Sequence, residues 1–102
     1  MKLLTQKNRE QLPELYAQED KGEDAIAYVK FFTPDGSWTW FATEFDGDDT
    51  FFGLVDGFEC ELGYFSLKEL ASVRGGFGLP IERDLHWLPK PLKEIRERID
   101  SI

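Results

Sequence analysis

The chain of 102 residues contains one cysteine, one histidine and one methionine. Cys60 has no partner thiol, so an internal disulfide is excluded, and a lone histidine argues against a zinc site. No apolar run approaches the roughly 18–20 residues that a transmembrane helix needs. The N-terminal stretch turns polar within six residues, too early for a signal peptide. We therefore expect a cytoplasmic protein.

Basic residues are also scarce: 12 Lys and Arg stand against 20 Asp and Glu, which gives a formal net charge of -8. A surface of this charge repels a phosphate backbone, so direct nucleic-acid binding is disfavoured. The negative net charge comes from residues 31–67, which hold eight acidic residues and no basic one. Residues 1–30 carry a net charge of -1 and residues 68–102 a net charge of +1. The eight acids are Asp35, Glu44, Asp46, Asp48, Asp49, Asp56, Glu59 and Glu61.

The same segment holds eight of the nine Phe and two of the three Trp residues, more aromatic surface than a disordered acidic tail carries. We expect a sheet whose turns and edges bear the carboxylates. Strands are predicted over residues 25–32, 37–45 and 50–55, around residues 62–65 within the stretch 58–65, and over 81–87, with turns at Thr33–Gly36, Asp46–Asp49 and Asp56–Gly57.

Three helices complete the prediction. The first runs from Gln6 to about Gln18 behind a Thr5 cap, kinked or restarted at Pro13, with an inner stripe of Leu12, Leu15 and Tyr16. The second follows a Ser66 cap through Val73, with Leu67, Leu70 and Val73 inward. The third begins at Pro91, with Leu92, Ile95, Ile99 and Ile102 on one stripe. The fold class is α+β, a single domain over residues 1–102: a mostly antiparallel sheet of about five strands with two or three helices.

Strand 37–45 carries aromatic side chains on both predicted faces. One face has Trp38, Trp40, Ala42 and Glu44, and the other has Thr39, Phe41, Thr43 and Phe45. Such a strand is either central and covered on both sides, or one of its faces meets a partner chain. A homodimer is therefore possible.

Six carboxylates of the segment form the predicted binding patch: Asp46, Asp48, Asp49, Asp56, Glu59 and Glu61. An acidic, aromatic surface suits a partner protein with a basic surface, and in a special case carboxylates stand in for DNA phosphates. The alternative is that the negative charge serves solubility alone.

A second polar cluster lies at residues 82–86. On a strand, Glu82, Asp84 and His86 point to one side, where they could ligate a divalent metal or serve acid–base chemistry, with Glu44 as a further carboxylate. The alternative is a solvent-facing strand in which Arg83 pairs with an acid such as Glu44. The solvent-facing strand is favoured, since a single histidine without a second His or a Cys is weak evidence for a metal site.

Three further motifs carry little chemistry. Asp46–Asp49 opens like a calcium loop, but Phe51 and Gly57 occupy the positions of the required Gly and Glu. Residues 74–78 lack the spacing of a phosphate-binding loop and suit a helix stop and a mobile loop. The carboxylates beside Cys60 should raise its pKa and disfavour a nucleophile.

The order of several motifs resembles one bacterial family, domain of unknown function 2958. The resemblance rests on residues 29–35, Thr39–Trp40 with Glu44, residues 52–54, 61–70 and 78–84, and covers roughly Leu3 to Trp87. It implies a small stand-alone bacterial protein, often encoded on plasmids, phages and integrated elements, and it transfers no catalytic residue.

Together these observations favour a non-enzymatic, protein-binding accessory module of a mobile element, possible forms being a DNA mimic or an anti-defence protein. No catalytic residue, metal or cofactor is assigned, and neither nucleic acid nor membrane is an expected partner. The alternative is a small metal-dependent hydrolase that uses Glu82, Asp84 and His86.

Overall fold

The computed structural model describes residues 2–101. Its strands are β1 (Ile26–Ala27), β2 (Val29–Phe32), β3 (Thr39–Phe45), β4 (Thr50–Asp56), β5 (Cys60–Ser66), β6 (Glu82–Arg83) and β7 (Lys90–Pro91). Its helices are α1 (Gln6–Gln11), α2 (Leu67–Ser72) and α3 (Leu92–Asp100), and a 3-10 helix spans Glu19–Asp24. An antiparallel sheet has the order β5-β4-β3-β2-β6, and β1 pairs separately with β7. The predicted α+β fold is confirmed.

Consecutive hairpins join β2 to β3, β3 to β4 and β4 to β5, as the turn residues predict. The predicted strand 25–32 is interrupted at Tyr28, and its first part, β1, pairs with β7 instead of joining the main sheet. None of the helices within residues 2–101 is long and apolar enough to cross a membrane.

The predicted strand 81–87 is wrong beyond its first residues, because β6 ends at Arg83. The Asp84 side chain accepts a hydrogen bond from the His86 backbone N–H at 2.9 Å, and the Trp87 N–H donates to the Asp84 carbonyl. These bonds form a turn. The strand alternation that would align Asp84 and His86 with Glu82 is therefore lost.

The first helix is capped at Thr5 as predicted, and the Thr5 hydroxyl accepts from the Asn8 N–H. It ends at Gln11 rather than Gln18. Leu12 takes an extended conformation because the ring of Pro13 disfavours helical backbone in the residue before it. Leu12 is buried, but Tyr16 is exposed, so the predicted inner stripe is wrong for Tyr16.

The other two helices largely follow the prediction. Ser66 caps α2, with its hydroxyl accepting from the Glu69 N–H, and Leu70 is buried. Val73 lies past the end of α2 and is exposed, which corrects its predicted inward position. In α3, Leu92 and Ile95 are buried and Ile99 packs against them, while Ile102 lies outside the described residues.

The core has two layers, one on each face of the sheet, with β3 at the centre. Leu4, Leu12 and Leu70 cover the face that bears Trp40 and Phe51. Leu92 and Ile95 of α3 cover the opposite face, which bears Phe41 and Leu54. The interpretation of β3 as a central strand covered on both sides is therefore the correct one.

A β-bulge in β3 changes which side chains share a face. Ala42 pairs with Gly53 and Glu44 with Phe52, so Thr43 is the extra residue. A bulge shifts the alternation by one position. Phe45 therefore joins the Trp40 layer and Glu44 moves to the opposite face, contrary to the predicted faces.

Candidate functional site: an acidic aromatic surface

The eight carboxylates of residues 31–67 separate into two groups by their hydrogen bonds. Four accept backbone N–H groups, from distant residues or, for Asp46, from the turn that follows it: Asp35, Glu44, Asp46 and Asp49. The other four make no side-chain hydrogen bond within residues 2–101: Asp48, Asp56, Glu59 and Glu61. The four salt bridges in this part of the chain all use acids from outside residues 31–67. Four of these eight carboxylates therefore stabilise the fold through hydrogen bonds, and the other four are unpaired within residues 2–101.

Asp46 and Asp49 stabilise the turn between β3 and β4. One oxygen of Asp46 accepts hydrogen bonds from the backbone N–H groups of residues 48, 49 and 50, at 2.8–3.0 Å. These bonds lower the pKa of the Asp46 carboxyl. The hydroxyl of Ser66 donates to Asp49 at 2.6 Å and lowers the pKa of the Asp49 carboxyl, with the N–H of Lys68 adding to the effect. Asp49 thus links this turn to the start of α2.

The six residues of the predicted acidic patch lie in two places. Asp46, Asp48 and Asp49 precede β4, whereas Asp56, Glu59 and Glu61 lie at its far end. The length of β4 separates the two groups by about 20 Å, since a strand rises by about 3.3 Å per residue. Among the free carboxylates, only Asp48 belongs to the first group.

The hairpin between β4 and β5 brings free carboxylates next to aromatic rings. Phe58 at its tip is 94 % exposed, and its ring lies 5.1 Å from that of Trp38 in an edge-to-face arrangement. A cavity of about 450 Å³ lies here. We define the acidic aromatic surface as five residues that line this cavity: Trp38, Val55, Phe58, Glu59 and Glu61.

Trp38 is held firmly in this surface. The Thr33 hydroxyl accepts from the Trp38 N–H at 3.0 Å, and the Thr33 N–H donates to the Trp38 carbonyl at 3.0 Å. On the other side, a Cβ added at Gly57 would come within 2.4 Å of the Trp38 ring. The ring therefore packs directly on the Gly57 backbone.

A second cavity, of about 390 Å³, lies beyond Trp38 and is lined by Trp40 and Arg74. Its wall includes the glycines at residues 75–76, which the sequence places in a mobile loop. Asp35 accepts from the N–H groups of Phe77 and Leu79, so this loop is tied to the β2–β3 turn. The apolar surface around Trp38 therefore continues from the tip of the β4–β5 hairpin to the loop at residues 75–76.

The polar cluster at residues 82–86 does not assemble. Asp84 forms a salt bridge with Lys30 at 3.6 Å. The predicted pairing of Arg83 with Glu44 is wrong, because Arg83 donates to the backbone carbonyls of residues 2 and 3, at 2.6 and 2.9 Å. Residues 2–101 contain no group of three or more His, Cys, Asp or Glu side chains positioned to hold a metal ion.

Cys60 has a raised pKa, in the predicted direction, although the main cause is different. Partial burial of the thiol raises its pKa most, and the charge of Asp56 adds to the effect. Asp56 pairs with Cys60 across the β4–β5 hairpin, which explains its influence. A thiol with a raised pKa is a weak nucleophile at neutral pH.

A family model described as Protein of unknown function (DUF2958) matches residues 3–96. The chain belongs to this family. The match continues past Trp87, where the resemblance seen in the sequence stops, and takes in the first half of α3. Membership of DUF2958 assigns no activity, partner or site residue. No curated protein and no solved structure matches the chain.

Phe58 is the functional candidate that the sequence prediction overlooked. A signal was present, because Phe58 lies between Gly57 and Glu59 in the loop that joins two strands. A side chain at the tip of so short a loop cannot reach the core, so a large apolar residue there is exposed. Exposed apolar groups of this kind mark binding surfaces when they are contiguous.

Proposed function

We propose that the protein is a non-enzymatic binding module whose acidic aromatic surface docks a basic surface of a partner protein. The observation that carries this proposal is the location of Glu59 and Glu61. Both carboxylates are exposed and unpaired within residues 2–101, and both line the same cavity as Phe58 and Trp38.

The two kinds of side chain have different roles in docking. The rings of Phe58 and Trp38 provide large apolar contact area at a low cost in conformational entropy, as in the centre of many protein interfaces. The surrounding carboxylates select a basic partner and increase its association rate. Because these carboxylates form no hydrogen bond or salt bridge with the described residues, a partner can use them without disturbing the protein.

The chemistry of the partner follows from this arrangement. It should present an apolar side chain flanked by Lys or Arg on a folded protein or an extended segment. The DNA-mimic form of the hypothesis receives less support, because a mimic needs a series of carboxylates and Asp46 and Asp49 are already hydrogen-bonded. A bacterial mobile element and a cytoplasmic location form the setting of the proposal.

The experiment compares proteins captured from a bacterial lysate by the tagged wild type and four variants. Phe58→Ala and the double variant Glu59→Gln/Glu61→Gln change the acidic aromatic surface. Leu88→Ala and Asp48→Asn are the controls, since Leu88 is an exposed apolar residue that follows the opposite edge strand and Asp48 is a free acid at the other end of β4.

We expect a basic protein that is captured by the wild type and both controls and is lost with both surface variants. Equal capture by all five proteins would contradict the proposal. So would loss with Asp48→Asn alone, which would place the docking site at the β3–β4 turn. A dimer in light scattering that dissociates with Phe58→Ala would instead assign the surface to self-association.

A further inference from the structure

A cleft on the other face of the sheet contains the one acid of residues 31–67 that is almost fully buried. The cleft lies between the segment that follows α1 and strands β3, β4 and β5, and its volume is about 310 Å³. Phe52 and Leu62 form part of its apolar wall. This volume is at the lower end of the range for small-molecule sites.

Glu44 lines the cleft and is only 4 % exposed. Its two oxygens accept from the backbone N–H groups of Tyr16 at 2.9 Å and Gln18 at 2.8 Å. Each carboxylate oxygen can accept a second hydrogen bond. No Lys, Arg or His side chain of residues 2–101 forms a salt bridge with Glu44. A buried carboxylate without a cation attracts one, since burial penalises an uncompensated charge.

Two tyrosine rings flank this carboxylate. Tyr16 and Tyr64 also line the cleft and are 62 % and 57 % exposed. Tyr16 has a φ of +73°, a backbone conformation that non-glycine residues rarely adopt and that is often associated with functional sites. The Tyr16 hydroxyl raises the pKa of Tyr64, and the negative charge of Glu44 contributes in the same direction. The two tyrosines and the carboxylate therefore form one electrostatic environment.

The charge of the cleft indicates the class of ligand. Glu19 is a second acid in its lining, and none of the Lys, Arg and His side chains within residues 2–101 lines it. Aromatic faces and carboxylates both attract cations, while Phe52 and Leu62 favour an apolar body. We propose that the cleft binds a small primary ammonium ion with an apolar body, with the ammonium donating to Glu44 and the body between the tyrosines and Phe52.

The test uses 2-phenylethylammonium as the probe, with the neutral 2-phenylethanol and the anionic phenylacetate as isosteric controls. Amide shifts of the full chain are followed by NMR during each titration. We expect saturable shifts at residues 16–19, 43–44 and 64 with the ammonium probe, and at least tenfold weaker binding of both controls.

Three variants complete the experiment. Glu44→Gln and Tyr64→Leu should each weaken binding of the ammonium probe at least tenfold, and Tyr64→Leu keeps the test valid if Glu44→Gln does not fold. Phe58→Ala should bind the probe like the wild type, which separates this site from the acidic aromatic surface. Equal binding of the neutral alcohol, no saturable binding at millimolar probe concentrations, or unchanged binding by Tyr64→Leu would overturn the proposal.

Discussion

Phe58 meets Trp38 edge to face, with ring centroids 5.1 Å apart and planes at 82°. The contact gives a defined position to a side chain that is otherwise almost completely exposed. Trp38 is in turn fixed by Thr33 and by the bare backbone of Gly57. A pre-ordered apolar group loses little conformational entropy on binding, so this contact makes the tip of the β4–β5 hairpin suitable for docking.

The contact between Gly57 and Trp38 predicts the effect of a single methyl group. In Gly57→Ala the new Cβ would lie 2.4–2.6 Å from three ring atoms of Trp38, so the ring must move. We expect a loss of about 1–3 kcal/mol in the free energy of unfolding, as for other overpacked sites. Urea denaturation followed by tryptophan emission measures it. Gly63→Ala is the matched control, since a Cβ there meets no atom within 4 Å, and an equal loss in that variant would contradict the explanation.

The turn at Asp46 and Asp49 predicts a pH dependence of stability. Hydrogen bonds lower the pKa of both carboxyls in the folded protein, so their contribution to stability is present above the unfolded pKa of about 4 and is lost as the pH falls through the lower folded values. The double variant Asp46→Asn/Asp49→Asn should be less stable than the wild type at pH 7 and equally stable near pH 2.

Urea denaturation at several pH values provides this measurement. Asp48→Asn is its control, because the Asp48 carboxylate makes no hydrogen bond within residues 2–101, and it should match the wild type throughout. A difference between the double variant and the wild type that persists near pH 2 would show that the two carboxylates do not act through their charge.

Cys60 should react slowly with thiol reagents at neutral pH. Burial and Asp56 raise the pKa of its thiol, so the reactive thiolate is a small fraction at pH 7. We expect the rate of alkylation by iodoacetamide to rise with pH, with a midpoint above that of a free cysteine. Asp56→Asn should lower the midpoint, whereas Asp48→Asn should leave it unchanged. A midpoint below that of free cysteine in the wild type would be the contrary result.

Glu44 should contribute to stability through both of its oxygens. In Glu44→Gln one oxygen becomes an NH₂ group that faces a backbone N–H, from either Tyr16 or Gln18. A buried N–H without an acceptor costs about 1–3 kcal/mol. Denaturant unfolding should show that the free energy of unfolding falls by this amount in Glu44→Gln. It should hardly change in Glu61→Gln, because the Glu61 carboxylate is exposed and forms no hydrogen bond with the described residues. Equal stabilities of the two variants would remove the structural role assigned to Glu44.

The turns between β2 and β5 and the helix caps could be predicted from the sequence because their causes are local. Pro34 and Gly36 specify a turn, and Thr5 and Ser66 each have a side-chain oxygen in the position of a helix cap. The end of α1 was equally local, since Pro13 restricts the residue before it, but the apolar spacing of the following residues favoured a longer helix.

The features that escaped prediction depend on contacts between distant residues. The bulge at Thr43 is visible only when β3 is paired with β4, and it alone decides that Glu44 faces the cleft and Phe45 the core. The separation of free from hydrogen-bonded carboxylates also depends on partners far along the chain, such as Gln18 for Glu44 and Ser66 for Asp49. The composition identified the acidic segment, but it could not show which of its carboxylates are hydrogen-bonded and which are free.

The most direct test of the acidic aromatic surface is its NMR footprint with a defined probe. A synthetic peptide with one tryptophan between lysine residues is titrated into the labelled protein, and the amide shifts are mapped on the sequence. We predict saturable shifts at residues 36–40 and 55–63, with affinity that falls as salt increases and is lost in Phe58→Ala. Shifts concentrated at residues 46–49 instead, or binding that Phe58→Ala leaves unchanged, would contradict the assignment of this surface.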